Sequence, residues 1–220
     1  MRFDILTLFP DIFQGYLGQS LLNKAIQTGL VDVHLHNIRD WSHGKHNTVD
    51  DRPFGGGPGM VMKVEPVVEC VEAVRSQTPD AGHLVMLTPQ GRRLDQPTVE
   101  ELARYKRLIL LCGRYEGFDH RIRVLLEPDE ISIGDYVLNG GEVAAMTIID
   151  ATIRLVPGVL GDEDSSVYDS FSGNRRWLEC DQYTRPREWE GRSIPDVLVG
   201  GDHAKVDAWR RAERERRWRS

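Results

Sequence analysis

Scanned for alternation and periodicity, the chain separates into short segments of two kinds. Residues 2–8 (RFDILTL) alternate apolar and polar positions as a half-buried strand does, and residues 31–38 (VDVHLHNI) repeat the pattern. Residues 84–88, 108–112 and 131–133 are continuous apolar runs of the length expected for buried strands. Helical spacing fills the gaps. One helix is predicted to open at Phe9-Pro10-Asp11 and run through about Ile26, with Pro10 tolerated in its first turn. Its core face is Ile12, Phe13, Leu17, Leu21, Leu22 and Ile26. Residues 66–76 and 98–105 predict two more helices, and residues 142–155 a third, with Val143, Met146, Ile149, Ile153 and Leu155 roughly on one face. Strands and helices alternate to about residue 155, which argues for an α/β layer on a mostly parallel sheet.

After Pro157-Gly158 the pattern stops. Residues 159–176 (VLGDEDSSVYDSFSGNRR) are acidic, then serine-rich, and read as a flexible linker. Three regions are therefore expected: an α/β domain at 1–158, the linker at 159–176, and a small, mainly helical domain at 177–220. The last of these holds a terminal helix from about Asp202 to Trp218.

Composition adds bounds. The chain has 220 residues, 40% hydrophobic and 28% charged, as a soluble globular protein has. No apolar run has the length of a membrane span, and Met1-Arg2-Phe3-Asp4 does not open like a signal peptide. Cys70, Cys112 and Cys180 fit neither a zinc site nor a disulfide framework; buried thiols in a reducing cytosol are expected. The net charge of −6 is unevenly spread. Residues 205–220 hold seven basic side chains against three acidic ones, so a basic tail follows an acidic body. That asymmetry suits phosphate binding, and it equally suits a solvated, arginine-rich helix.

Glycine ends the apolar runs. Gly113 and Gly117 follow the second, Gly134, Gly140 and Gly141 the third, and Pro89-Gln90-Gly91-Arg92 the first. Glycine at a strand end lets a ligand approach the backbone, and such ends are the usual ligand site of an α/β protein. Turns use glycine too, but two such loops within thirty residues, interleaved with Tyr115, Glu116, Asp135 and Tyr136, favour a site. The spacings match neither G-x-G-x-x-G nor a P-loop, so an ordinary dinucleotide or nucleotide fold gains little support. Residues 39–59 are aperiodic, hold His43, His46, Asp50, Asp51 and Arg52 beside Phe54-Gly55-Gly56-Gly57, and are long enough to be either disordered or functional. His34 and His36 share a strand face without a third ligand at useful spacing, so a solvated face is expected there.

LLCGRYEGFDHR, SIGDYVLNGGE and DDRPFGGGPGM resemble, in order, the bacterial tRNA (guanine-N1)-methyltransferases of the SPOUT, trefoil-knot class. The likeness extends from Met1 to about Trp209. It implies a chain threaded so that the glycine loops form a deep knot. It also implies S-adenosylmethionine bound bent in the cleft of a homodimer, and methylation of N1 of guanosine 37, beside the tRNA anticodon, in the cytoplasm. Residue by residue, it implies cofactor contacts from Leu87, Pro89, Gly91, Gly113, Tyr115, Ile133, Gly134, Tyr136, Leu138, Gly140 and Gly141. Leu87 and Leu138 would pack the adenine faces while loop backbone reads its edge. The family commonly carries proline after the Gly-Gly-Glu segment, where this chain has Ala144 after Val143, so altered adenine packing is expected. RNA contacts are expected from Asp50, Arg52, Arg185, Arg210 and Arg211. The family continues with more helix, so a shortened terminal domain is expected.

Methylating guanine N1 requires a held methyl donor, removal of the N1 proton, and stabilisation of the charge that spreads to O6. A carboxylate can be the base, but an ordinary aspartate, at about 3.9, is too weak unless its surroundings raise it. Asp169, in Tyr168-Asp169-Ser170-Phe171, matches the family's catalytic aspartate; on composition alone it is a solvated loop residue. Arg154 ends an apolar helix, where a cation is mildly favourable anyway; the resemblance pairs it with the aspartate. Glu116 is implied near the cofactor's methionine end, or near a magnesium ion arriving with the RNA. Two alternatives stay open at this level: a SPOUT enzyme acting on another RNA position, and a non-catalytic RNA-binding protein that keeps the knot.

Overall fold

The computed structural model describes residues 1–161, 169–174 and 176–219. It divides into two compact units, Met1–Gly161 and Asp162–Ser220.

In the first unit the elements run β1 (Arg2–Thr7), α1 (Ser20–Gln27), β2 (Asp32–Asn37), α2 (Val64–Arg75), β3 (His83–Arg93), α3 (Gln96–Leu102), β4 (Arg107–Cys112), α4 (His120–Leu126), β5 (Asp129–Ser132) and α5 (Glu142–Ile153). The five strands form one sheet in the order β2-β1-β4-β3-β5, and every neighbouring pair is parallel. This is the α/β, mostly parallel sheet expected. Parallel pairing demands crossovers, and these cover both sheet faces. The two cores follow from the strand pleat. Phe3, Ile5, Val85, Leu108 and Leu110 pack with Ala145, Ile148 and Ile149 of α5 on one side. Leu6, Met86, Ile109 and Leu111 pack with Val67, Val71 and Val74 of α2 on the other. All six residues of β4 are buried: residues 108–112 form an unbroken apolar run, and Arg107 before them is paired with the buried Asp4.

Several expectations need correction. The single helix predicted from Asp11 to Ile26 is a 3₁₀ turn (Pro10–Phe13), one helical turn (Gln14–Leu17), a break at Gly18, and then α1. The break resets the helical phase, so Phe13 and Leu22 are buried whereas Ile12 and Leu21 are exposed. Helix α4 was not foreseen, because its short HRIRVLL stretch opens on a histidine and two arginines among its first four residues; Asp119 caps it by accepting from Arg121 N at 2.9 Å, and Ile122 and Leu126 are its buried residues. Strand β3 continues past residue 88 to Arg93, its register shifting between Leu87 and Arg92. The buried face of α5 is Ala145, Ile148, Ile149, Thr152 and Ile153, with Val143 exposed. That helix is apolar nearly all round, so periodicity alone does not choose its face. The strand face with the histidines is not wholly solvated: His36 Nε2 lies 2.8 Å from the buried Asp4, while His34 pairs with Asp32 at 2.7 Å. All three cysteines are free and buried.

The first unit extends past residue 158, and Val159 belongs to its core. In the second unit the described residues form a turn at Asp169, a two-strand ladder (Glu188–Trp189 with Arg192–Ser193), a 3₁₀ turn (Asp196–Leu198) and α6 (His203–Arg219). Asp202 caps α6, its Oδ1 accepting from Lys205 N at 3.2 Å. Tyr168 and most of the acidic stretch before it lie outside the described residues.

Candidate active site

Because the strands are parallel, the C-terminal ends of β4 and β5 reach one edge of the sheet beside the irregular stretch 87–90 of β3, and together with the loops leaving β4 and β5 they line a cavity of about 470 Å³. Of the residues singled out for the cofactor, Leu87, Pro89, Gly113, Tyr115, Ile133, Gly134, Tyr136, Leu138, Gly140 and Gly141 line it, and Glu116 and Ala144 join them. Gly91 does not. A Cβ there would fall 2.4 Å from the backbone of Glu130 and Ile131, so this glycine lets β3 lie flat against β5.

The aperiodic run before α2 is ordered at its end against the loop after β4. Asp50–Asp51 pair antiparallel with Val61–Met62. Glu116 N donates to Met60 O at 2.9 Å, Met62 N to Gly117 O at 2.9 Å, and Asp119 N to Met62 O at 3.0 Å. The Glu116 carboxylate lies over Gly59, where a Cβ would meet it at 2.4 Å. Tyr115 takes a left-handed φ of 59°, unusual for a bulky side chain and a mark of a constrained turn. Asp50 is half-buried in its short strand, and Arg52 is exposed.

The other candidates are not among the residues that line the cavity. Arg154 is the half-buried C-cap of α5. The twelve residues of that helix separate it from the glycine loop by about 18 Å. Asp169 belongs to the second unit, is half-buried, and its carbonyl accepts from Ser172 N and Oγ at 3.1 and 2.6 Å. Arg185, Arg210 and Arg211 are exposed there, Arg210 standing 3.7 Å from Asp207. Among the described residues no group of three or more His, Cys, Asp or Glu is placed to hold a metal ion. No described helix is long and apolar enough to cross a membrane.

A family model described as tRNA (Guanine-1)-methyltransferase TrmD matches residues 1–220. The chain belongs to this family. A tRNA (guanine-N(1)-)-methyltransferase of Rhodopirellula baltica is 63% identical over 217 residues, covering 98% of this chain and 89% of that protein. Proteins of the same name from Geobacter sulfurreducens and Chloroflexus aurantiacus are each 54% identical. The alignments cover 96% and 99% of this chain and 85% of each relative. The tRNA (guanine-1)-methyltransferase family is of the SPOUT class and its members are enzymes, as the resemblance implied.

Sequence reasoning missed the polar framework that this family member places behind its glycine loops. Arg114 and Glu142 join the loop after β4 to the start of α5, and Thr7 at the end of β1 joins them. Arg123 reaches Gln90 from α4 and stands 3.3 Å from Glu130. Arg114 and Glu142 lie inside the quoted motifs, but only their spatial neighbours reveal a shared task. Beneath them, burial pushes the Cys112 thiol well above its ordinary range, and the nearby Glu142 charge pushes the same way.

Proposed function

We propose that this chain transfers a methyl group from S-adenosylmethionine to N1 of guanosine 37 in tRNA, in the cytoplasm and as a homodimer. The observation that carries the reading is the cavity at the strand ends. Its volume of about 470 Å³ falls in the range of small-molecule sites. Leu87, Ile131, Leu138 and Ala144 give it apolar walls suited to a flat purine. Glycine backbone offers hydrogen-bonding edges, and Glu116 and Arg123 offer charges of both signs to a zwitterionic methionine end. S-adenosylmethionine, when bound, supplies a methyl group on a sulfonium, already electrophilic.

The chain's own groups then have three tasks. The loops hold the donor and exclude water. Asp169 accepts the N1 proton of guanine. Arg154 steadies that carboxylate or the charge developing on O6 by charge-assisted hydrogen bonds. Arg154 stands at the far end of α5 from this chain's cavity, which supports an active site completed by a second copy. In the same reading the glycine loops are threaded as a knot, and the exposed arginines of α6 meet tRNA phosphates. A magnesium ion at Glu116 would need oxygens from the RNA, since one carboxylate is a poor site for it.

The test is methylation of transcribed tRNA with labelled S-adenosylmethionine, with the modified base mapped. Label is expected on N1 of guanosine 37 and absent from a transcript with adenosine there. Label on another base, or none, would refute the reading.

A further inference from the structure

We propose that Glu142 and Arg114 form a positioning pair that sets the separation of the two glycine loops on either side of the cavity; this rests on the cofactor reading above. Glu142 opens α5 and is only 1% exposed. Its Oε1 accepts from Thr7 Oγ1 at 2.7 Å and from Arg114 Nε at 3.1 Å, and its Oε2 lies 2.9 Å from Arg114 Nη2. Arg114 Nη1 also donates to Asn139 O at 3.2 Å, and the guanidinium lies 4.5 Å from the centre of the Phe9 ring. One buried carboxylate thus gathers the end of β1, the loop after β4 and the loop before α5.

The loops close on each other around this pair. Arg114 and Gly140 form an antiparallel bridge, and Gly141 N donates to Gly113 O at 2.9 Å. A Cβ on Gly140 would fall 2.3 Å from Arg114 Nε and 2.6 Å from Glu142 Oε2, so glycine is needed for the pair to fit. Arg114, Gly140 and Gly141 all line the cavity, and Tyr115 and Glu116 follow Arg114 directly. A buried ion pair carries a desolvation cost that an apolar pair would avoid, so its net stabilisation is a weak reason for having it. Fixing the distance between two loops is a better one. The pair lies behind the loops rather than at the reacting atoms, so it acts on ground state and transition state alike, and its loss falls on KM for the cofactor rather than on kcat.

Glu142→Gln keeps the shape and an acceptor for Thr7 but removes the charge. In the full-length protein it is expected to raise the S-adenosylmethionine Kd by calorimetry, and the corresponding KM, by about tenfold to a hundredfold, the weight of a charge-assisted hydrogen bond. The kcat at saturating cofactor should stay within a few-fold. If that variant does not fold, Arg114→Lys, which keeps the charge but not the fork, must show the same split. The double variant should lose less than the product of the singles. A folded variant with a lower melting temperature but unchanged cofactor Kd would reduce the pair to a structural role and overturn the proposal, as would full multiplicativity. Wild-type protein that binds no S-adenosylmethionine would instead overturn the cofactor reading, and this inference with it.

Discussion

The two units of this chain are held together by different forces. In the first, both faces of the sheet are covered, and whole strands such as β4 are removed from water. A deep polar node at Asp4 is fully paired: its carboxylate takes hydrogen bonds from Arg2, Arg107 and His36. In the second, among the described residues, only Cys180 is buried. Trp189 is 67% exposed, and the ties include surface ion pairs such as Arg187 with Asp196 at 2.7 Å and Arg217 with Asp181. The difference matches the ligand each is read as taking. A small molecule is recognised by shape, which needs loops anchored on a packed sheet. A polyanion is recognised by charge displayed to solvent, and its binding is salt-dependent.

The largest expected effect is on chemistry in the less packed unit. Asp169→Asn keeps shape and hydrogen bonding but cannot take a proton, so single-turnover methylation should slow by about 10²–10⁴-fold while cofactor and tRNA binding change little. The rising limb of its pH–rate profile should disappear. Activity within a few-fold of wild type, with the same limb, would move the proton to another group, Glu116 first.

Next is the packed unit's polar node. Burial by itself pushes the Asp4 carboxyl up, but hydrogen bonds from His36, Arg2 and Arg107 outweigh it and hold the group well below the usual carboxylate range. A depressed carboxyl stabilises the fold fully above its unfolded value of about 3.9, and that contribution is lost as pH falls toward the folded value. Asp4→Asn leaves buried cations unmatched and should cost about 3–5 kcal/mol at neutral pH by denaturant unfolding. It should also flatten the acid dependence below about pH 4.

Gly141→Leu is the third. Its Cβ would meet Cys112 Cα at 2.7 Å and Gly113 N at 3.0 Å, and backbone cannot step aside as a side chain can. A loss of about 1–3 kcal/mol of stability is expected together with the loss of cofactor binding. A variant as stable as wild type would show that the helix start is looser than its packing implies. The smallest effect belongs to the second unit: Arg217→Ala removes a partly exposed ion pair and should cost about 0–1 kcal/mol, within the scatter of a melting curve. A large loss there would blur the contrast between the units.

The sheet strands were legible because burial on two faces requires continuous apolar runs, and burial on one requires alternation. Residues 108–112 show the first case; residues 2–8 alternate in sequence yet are buried on both faces, because Asp4 and Thr7 are paired inside the protein. The cavity residues were legible through family motifs, but Gly91 lies outside the lining and packs on β5, because packing against a neighbouring strand and contact with a ligand both call for the absence of a side chain. Local pattern determined strand identity, the glycine ends of strands, the apolar nature of α5 and the basic terminal helix, since each depends on residues near in the chain. Only the tertiary structure decided the order β2-β1-β4-β3-β5, the break at Gly18, the buried face of α5, and the meeting of Thr7, Arg114 and Glu142. Those depend on contacts such as Thr7 with Glu142, 135 positions apart, which no local periodicity encodes.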